Sequence, residues 1–200
     1  MSITQEAEQH ITNLLEEKLG DSYTYHNLAH TISVRDTCQE IGRGMKLTDE
    51  ELEILELAAL FHDTGFIAQY DGHEEASQRI AKEFLERKAY SNKKLEKVLK
   101  CIEVTQMGKI PGDKLGKVMK DADLGNLGRA DYLQTLINLR KEWEVMLGEV
   151  HEDAEWYELN RSFLKNHNYF TPYATQHFAP QVKKNQKALK KLAKAQKLDM

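Results

Sequence analysis

The sequence predicts an all-α protein, an irregular bundle of about eight to ten helices. Three observations predict it. Apolar residues recur at helical spacing from near residue 3 into the carboxy-terminal tail, no segment alternates convincingly with period two, and candidate helix ends carry capping residues or glycines.

Residues 3–19 form an amphipathic first helix, stopped by Gly20. In DSYTYHNLAHTISVRDTCQEIG a loop feeds a second helix, with Asn27 as its N-cap and Gly42 as its stop. LTDEELEILELAALFHD opens on a capping box, Thr48 lying three residues before Glu51, and ends close to His62 because Gly65 follows. The loop TGFIAQYDG leads into HEEASQRIAKEFLERK, whose first turn is acidic. SNKKLEKVLKCIEVT follows, capped by Ser91 or Asn92, and MGKIPGD is the clearest turn cluster in the chain. Three more helical segments are GDKLGKVMKDADLGNLG, ADYLQTLINLRKEWEVML and EDAEWYELNRSFLKNH. The last helix starts near Pro172, and Pro180 either starts its long part or kinks it.

The 200 residues suffice for one well-packed domain, and no repeat, low-complexity linker or boundary divides them. A net charge of -4 gives no electrostatic reason to expect a nucleic-acid polymer as partner; the basic tail VKKNQKALKKLAKAQK qualifies this only locally. Its lysines at 183, 184, 187, 190, 191, 194 and 197 flank Leu189, Leu192 and Ala193. That pattern reads as a partly docked amphipathic helix; a lid or a homodimer contact are the alternatives. Cys38 and Cys101 match no thiolate metal spacing and read as small buried hydrophobes, so a reducing compartment is expected. The first 20 residues lack a signal peptide's apolar core, and no stretch approaches the roughly 18 apolar residues of a spanning helix. A cytoplasmic protein without a membrane partner is expected.

The chemistry concentrates in His26 and His30, the adjacent pair His62-Asp63, and Asp121 with Asp123. His62-Asp63 ends the apolar run AALFHD, where an unpartnered charge is costly to bury. An imidazole and a carboxylate side by side there have a reason to exist if they share a cation. His26 and His30 share a helical face if the helix begins near Asn27; otherwise His26 reaches the same pocket from the loop. Asp121 and Asp123 cannot share a face, so one of them is expected to turn to the site. A set of two histidines and two aspartates leaves open positions on Mn, Mg, Fe, Ni, Co or Zn. Water in an open position is acidified toward hydroxide, and a phosphate is its natural partner. His10, His151, His167 and His177 read as structural or solvated.

Three words around these residues, YHNLAH at 25–30, LFHDTG at 60–65 and DADLGN at 121–126, resemble the HD-domain superfamily of metal-dependent phosphohydrolases, in particular its cyclic-nucleotide phosphodiesterase branch. The resemblance covers roughly residues 23–130 and implies one HD-type helical domain, with an amino-terminal helix and a carboxy-terminal extension. It implies His30, His62, Asp63 and Asp123 as metal ligands, Asp123 being preferred over Asp121 by the ADL word. It also implies His26 as general acid and Asp63 as the residue able to bridge a second ion. Phe66 stands where the phosphodiesterases continue with a second histidine, and the carboxy-terminal third has no clear counterpart of their purine-binding glutamine. The expected activity is therefore cleavage of a small phosphomonoester or phosphodiester with hydroxide as nucleophile, a nucleotide being the substrate class that the resemblance implies. His73, Glu74 and Asn27 are candidates for a second metal position or the substrate, and Lys109, Arg129, Lys120 and Arg35 are candidate phosphate-binding cations. Thr105 and Gln106 are weaker candidates for the pocket wall. A di-iron oxygenase of the same fold needs two histidines between Asp63 and Asp123, and only His73 lies there. A non-catalytic regulatory domain retaining the metal site is the third reading.

Overall fold

The computed structural model describes residues 1–196, and these are all-α, with ten α-helices and two 3-10 turns. The chain forms two compact units, dividing between Asp123 and Leu124. Sequence shows no boundary here, because helical periodicity continues through this point without linker composition.

The first unit contains α1 (Ile3–Lys18), α2 (Leu28–Gly44), α3 (Asp49–Phe61), a 3-10 turn (Thr64–Ile67), α4 (His73–Arg87), α5 (Asn92–Glu103) and α6 (Lys114–Asp123). Its centre is α3, which packs against α1, α2, α4, α5 and α6. Ile54, Leu55, Leu57, Ala58, Ala59, Leu60 and Phe61 are fully buried, so the end of α3 is apolar all round. Each large side chain among them contributes roughly 1.5–3 kcal/mol by leaving water. The capping box closes the other end: Glu51 N donates to Thr48 Oγ1 at 3.3 Å and Thr48 N donates to Glu51 Oε2 at 2.9 Å.

Two expected boundaries move. Gly42 does not stop α2, which runs to Gly44. A Cβ at Gly42 would sit 2.6 Å from Leu52 Cδ2, so this glycine serves the close approach of α2 to α3. The chain leaves α2 at Lys46, in the left-handed region with φ 56. The segment TGFIAQYDG, expected as loop, begins with the 3-10 turn.

The second unit contains the 3-10 turn Gly125–Gly128, α7 (Tyr132–Met146), α8 (Asp153–Asn166), α9 (Pro172–His177) and α10 (Ala179–Gln196). Pro180 lies in the first turn of α10, where its missing N–H costs no helical bond. Tyr132, Leu136, Trp156, Leu164, Val182 and Leu189 form its core around Leu127. Asn185 ties α10 to the start of this unit, donating to the carbonyls of Leu127 and Arg129, both at 2.9 Å. Helix α10 packs on α8 and buries Val182, Leu189 and Ala193, leaving its lysines outward; Lys197 lies outside the described residues. Among the described residues no helix is long and apolar enough to cross a membrane.

Candidate metal centre

Four segments of the first unit bring the site together. Asn27 caps α2: its Oδ1 accepts from Ala29 N and His30 N, and its Nδ2 donates to the carbonyls of Tyr23 and Thr24. That uses both lone pairs and both N–H bonds of the amide. Asn27, a candidate for the substrate or a second metal position, is in this structure the brace that fixes the loop carrying His26 against the first turn carrying His30. His26 precedes the cap, so it lies in the loop, its ring centroid 5.8 Å from that of His30 and 4.6 Å from that of Phe66.

His62 follows the last residue of α3 and is completely buried. Its Nδ1 lies 2.8 Å from the Ala59 carbonyl, which can only accept, so Nδ1 carries the proton. Nε2 therefore turns to the cluster. There His62 Nε2 is 3.1 Å from Asp63 Oδ2 and 3.5 Å from Asp123 Oδ1. His30 Nε2 is 3.4 Å from Asp63 Oδ2 and 3.5 Å from Asp123 Oδ1. One ligand atom each from His30, His62 and Asp123 falls within 4.8 Å of the others. Of the two aspartates at the end of α6, Asp123 is the one beside both imidazoles; Asp121 is buried with partners of its own.

His73, the first residue of α4, reaches the other oxygen of Asp63, its Nε2 3.4 Å from Oδ1. Its Nδ1 lies 3.1 Å from the Tyr70 carbonyl and 3.8 Å from Glu74 Oε2. Gly65 makes this approach feasible. A Cβ there would lie 1.9 Å from the His73 carbonyl oxygen, and Gly65 N donates to Ser77 Oγ at 2.8 Å. Phe66 stacks on the His73 ring, centroids 3.8 Å apart, and Tyr23 Oη donates to the Phe66 carbonyl at 2.9 Å. Ser77 and Tyr23 escaped sequence reading as parts of the site, and Phe66 entered it only as a departure from the phosphodiesterase word. Only the glycine in LFHDTG carried a local signal.

Electrostatically the cluster is strained toward a cation. Burial disfavours the His62 imidazolium, but the Asp63 and Asp123 carboxylates outweigh it and hold the pKa well above the ordinary range. Burial raises Asp63 and the His62 charge overrides it, leaving that carboxyl well below its usual range; Asp123 is lowered against burial by the facing imidazoles of His30 and His62. Burial also opposes the charged form of His73, while Asp63 raises it. Two buried atoms, His62 Nε2 and Asp63 Oδ2, have no hydrogen-bond partner. Such orphaned groups are costly. A divalent cation satisfies both and offsets two facing carboxylates, so the donor set fits one.

The candidate cations separate clearly. Lys109 is exposed and paired with Glu103 at 2.5 Å, and Arg35 pairs with Glu8 at 3.0 Å and Asp36 at 2.7 Å. Arg129 is exposed and belongs to the second unit. Lys120, by contrast, is only 6% exposed and donates to the carbonyls of Thr105 and Gln106, both at 2.9 Å. Burial lowers its pKa, against the pull of Asp123 and Glu74. Thr105 and Gln106, just past the end of α5, are thus tied to α6 through this lysine.

The fold and the cluster define a class: a helical protein with two histidines and two aspartates converging at a candidate cation site. Residues 27–136, more than half of the chain, match the HD domain family, and the chain belongs to it. The superfamily is one of metal-dependent phosphohydrolases. No curated protein matches the chain, and no solved structure does.

Proposed function

We propose that this protein is a metal-dependent phosphohydrolase acting on a small phosphomonoester or phosphodiester, with a nucleotide as the favoured substrate class. The observation that carries the reading is the convergence of His30, His62, Asp63 and Asp123 with two buried donor atoms left unpaired. These four would hold the ion. When bound, a divalent cation acidifies water and offsets the charge that gathers on a phosphoryl group under attack.

The chain's own residues do the rest. The Ala59 carbonyl holds the His62 ring in the tautomer that leaves Nε2 free to ligate. Asp63 offers Oδ2 to the first site and Oδ1 toward His73, so a second ion would find His73 and Glu74 beside it. His26, at the rim and not in the ligand set, hands a ring N–H proton to the leaving oxygen. Burial of the ligands excludes bulk water, which strengthens each charge interaction.

The test is a screen of nucleotides and other phosphate esters with Mn, Mg, Co, Ni and Fe after chelation. Phosphate release that disappears in His62→Ala/Asp63→Ala, with the helical fold retained, is the expected result. Metal uptake without hydrolysis of any phosphate ester in the screen would overturn the enzyme reading in favour of a regulatory domain.

A further inference from the structure

Lys120 is a buried ammonium without a counter-ion. Among the described residues it forms no ion pair, and its hydrogen bonds are to two neutral carbonyls, of Thr105 and Gln106. An ammonium has three N–H bonds, so one remains. A buried charge is ordinarily paired, because its lost hydration is otherwise uncompensated. Lys120 lies three residues before Asp123 on α6, which puts both on one helical face. The charges acting on it are those of Asp123 and Glu74, both at the cluster. A methionine or leucine would fill such a place with less cost if joining α5 to α6 were the only task.

We infer that Lys120 is the phosphate-binding cation of this site, its third N–H donating to an oxygen of the substrate's phosphoryl group. This rests on the phosphohydrolase reading above. The two carbonyls hold Nζ in place before substrate arrives, so little side-chain freedom is lost on binding. An arriving phosphate supplies the missing negative charge. The other candidates of the first unit, exposed Lys109 and part-buried Arg35, already have carboxylate partners, which leaves Lys120 as the candidate with an unmet charge.

Orthophosphate titrated calorimetrically into Mn-saturated protein tests this, read beside Mn content and far-ultraviolet circular dichroism. Lys120→Gln keeps two N–H donors for the Thr105 and Gln106 carbonyls and removes the charge. The expected result is intact helicity and Mn content with orthophosphate bound about tenfold to hundredfold more weakly. KM for any ester turned over should rise in parallel. In the unaltered protein the Lys120 13Cε resonance should move on adding orthophosphate, a measurement that stands even if the variant fails to fold. Equal orthophosphate affinity in a folded Lys120→Gln, or a resonance that stays still under saturating orthophosphate, makes Lys120 a helix tie only and overturns the inference. So does a Mn-saturated wild type that binds no orthophosphate. Wild-type protein that takes up no metal overturns the hydrolase reading as well, whereas metal uptake and ester turnover indifferent to Lys120 overturn this inference alone.

Discussion

At the scale of single residues, His26 and Asp63 divide the work that the site can do. His26→Ala should keep bound metal, because His26 is outside the ligand cluster, while turnover falls about 100-fold to 10,000-fold. Asp63→Ala should lose both, since Asp63 touches His30, His62 and His73 at once. Metal content and phosphate release measured on the two variants decide it; a fully active His26→Ala removes the acid from the scheme. The same carboxylates set the response to pH. In metal-free protein the His62 pKa is raised, so its contribution to stability is complete below 6.5 and lost as pH climbs through the folded value. Asp63 and Asp123 are lowered, so theirs is present above 3.8 and lost as pH drops through their folded values. Chelated protein should therefore be most stable between 3.8 and 6.5. Metal needs unprotonated imidazoles, so saturation should move that optimum upward. Thermal unfolding with and without chelator across pH checks the sign, and identical profiles would contradict it.

At the scale of elements, two glycines make contrasting demands. A Cβ at Gly42 would meet the tip of a flexible leucine, whereas one at Gly65 would meet the backbone of His73. Side-chain ends can move; a backbone that opens a helix and carries a site residue cannot move without shifting the site. Gly42→Ala should cost about 1 kcal/mol and keep metal affinity, and Gly65→Ala about 3 kcal/mol with weakened metal binding. Denaturant midpoints and metal titrations of the two variants make the comparison. Equal losses for both would mean that the approach of α4 to the 3-10 turn does not govern the site.

At the scale of the whole molecule, the ligands come from α2, the end of α3 and the end of α6, all within the first unit. A cation held by them cross-links segments distant in sequence and absent as a site in the unfolded chain. At a metal concentration a hundredfold above Kd, stabilisation should reach about 2.7 kcal/mol. Hydrogen exchange should locate the gain in α2, α3, α4 and α6. Equal protection of α7 to α10 would show that metal acts through the fold as a whole and not through this cluster.

Periodicity and capping decided the class of fold before any tertiary contact was known, because they are local: Thr48 and Glu51 make their bonds within one turn, and Asn27 caps its own helix. Residue chemistry likewise singled out His62-Asp63, since a charged pair at the end of an apolar helix needs a partner wherever that helix lies. Sequence could not tell that Asn27 also braces the loop before its helix, that Gly42 is a packing contact, or that Lys120 is buried while Lys109 is paired outside. Those facts depend on which surface each helix meets, a long-range matter that spacing along the chain does not encode. The tertiary structure alone brings His73 to Asp63, through an approach that the missing side chain of Gly65 allows.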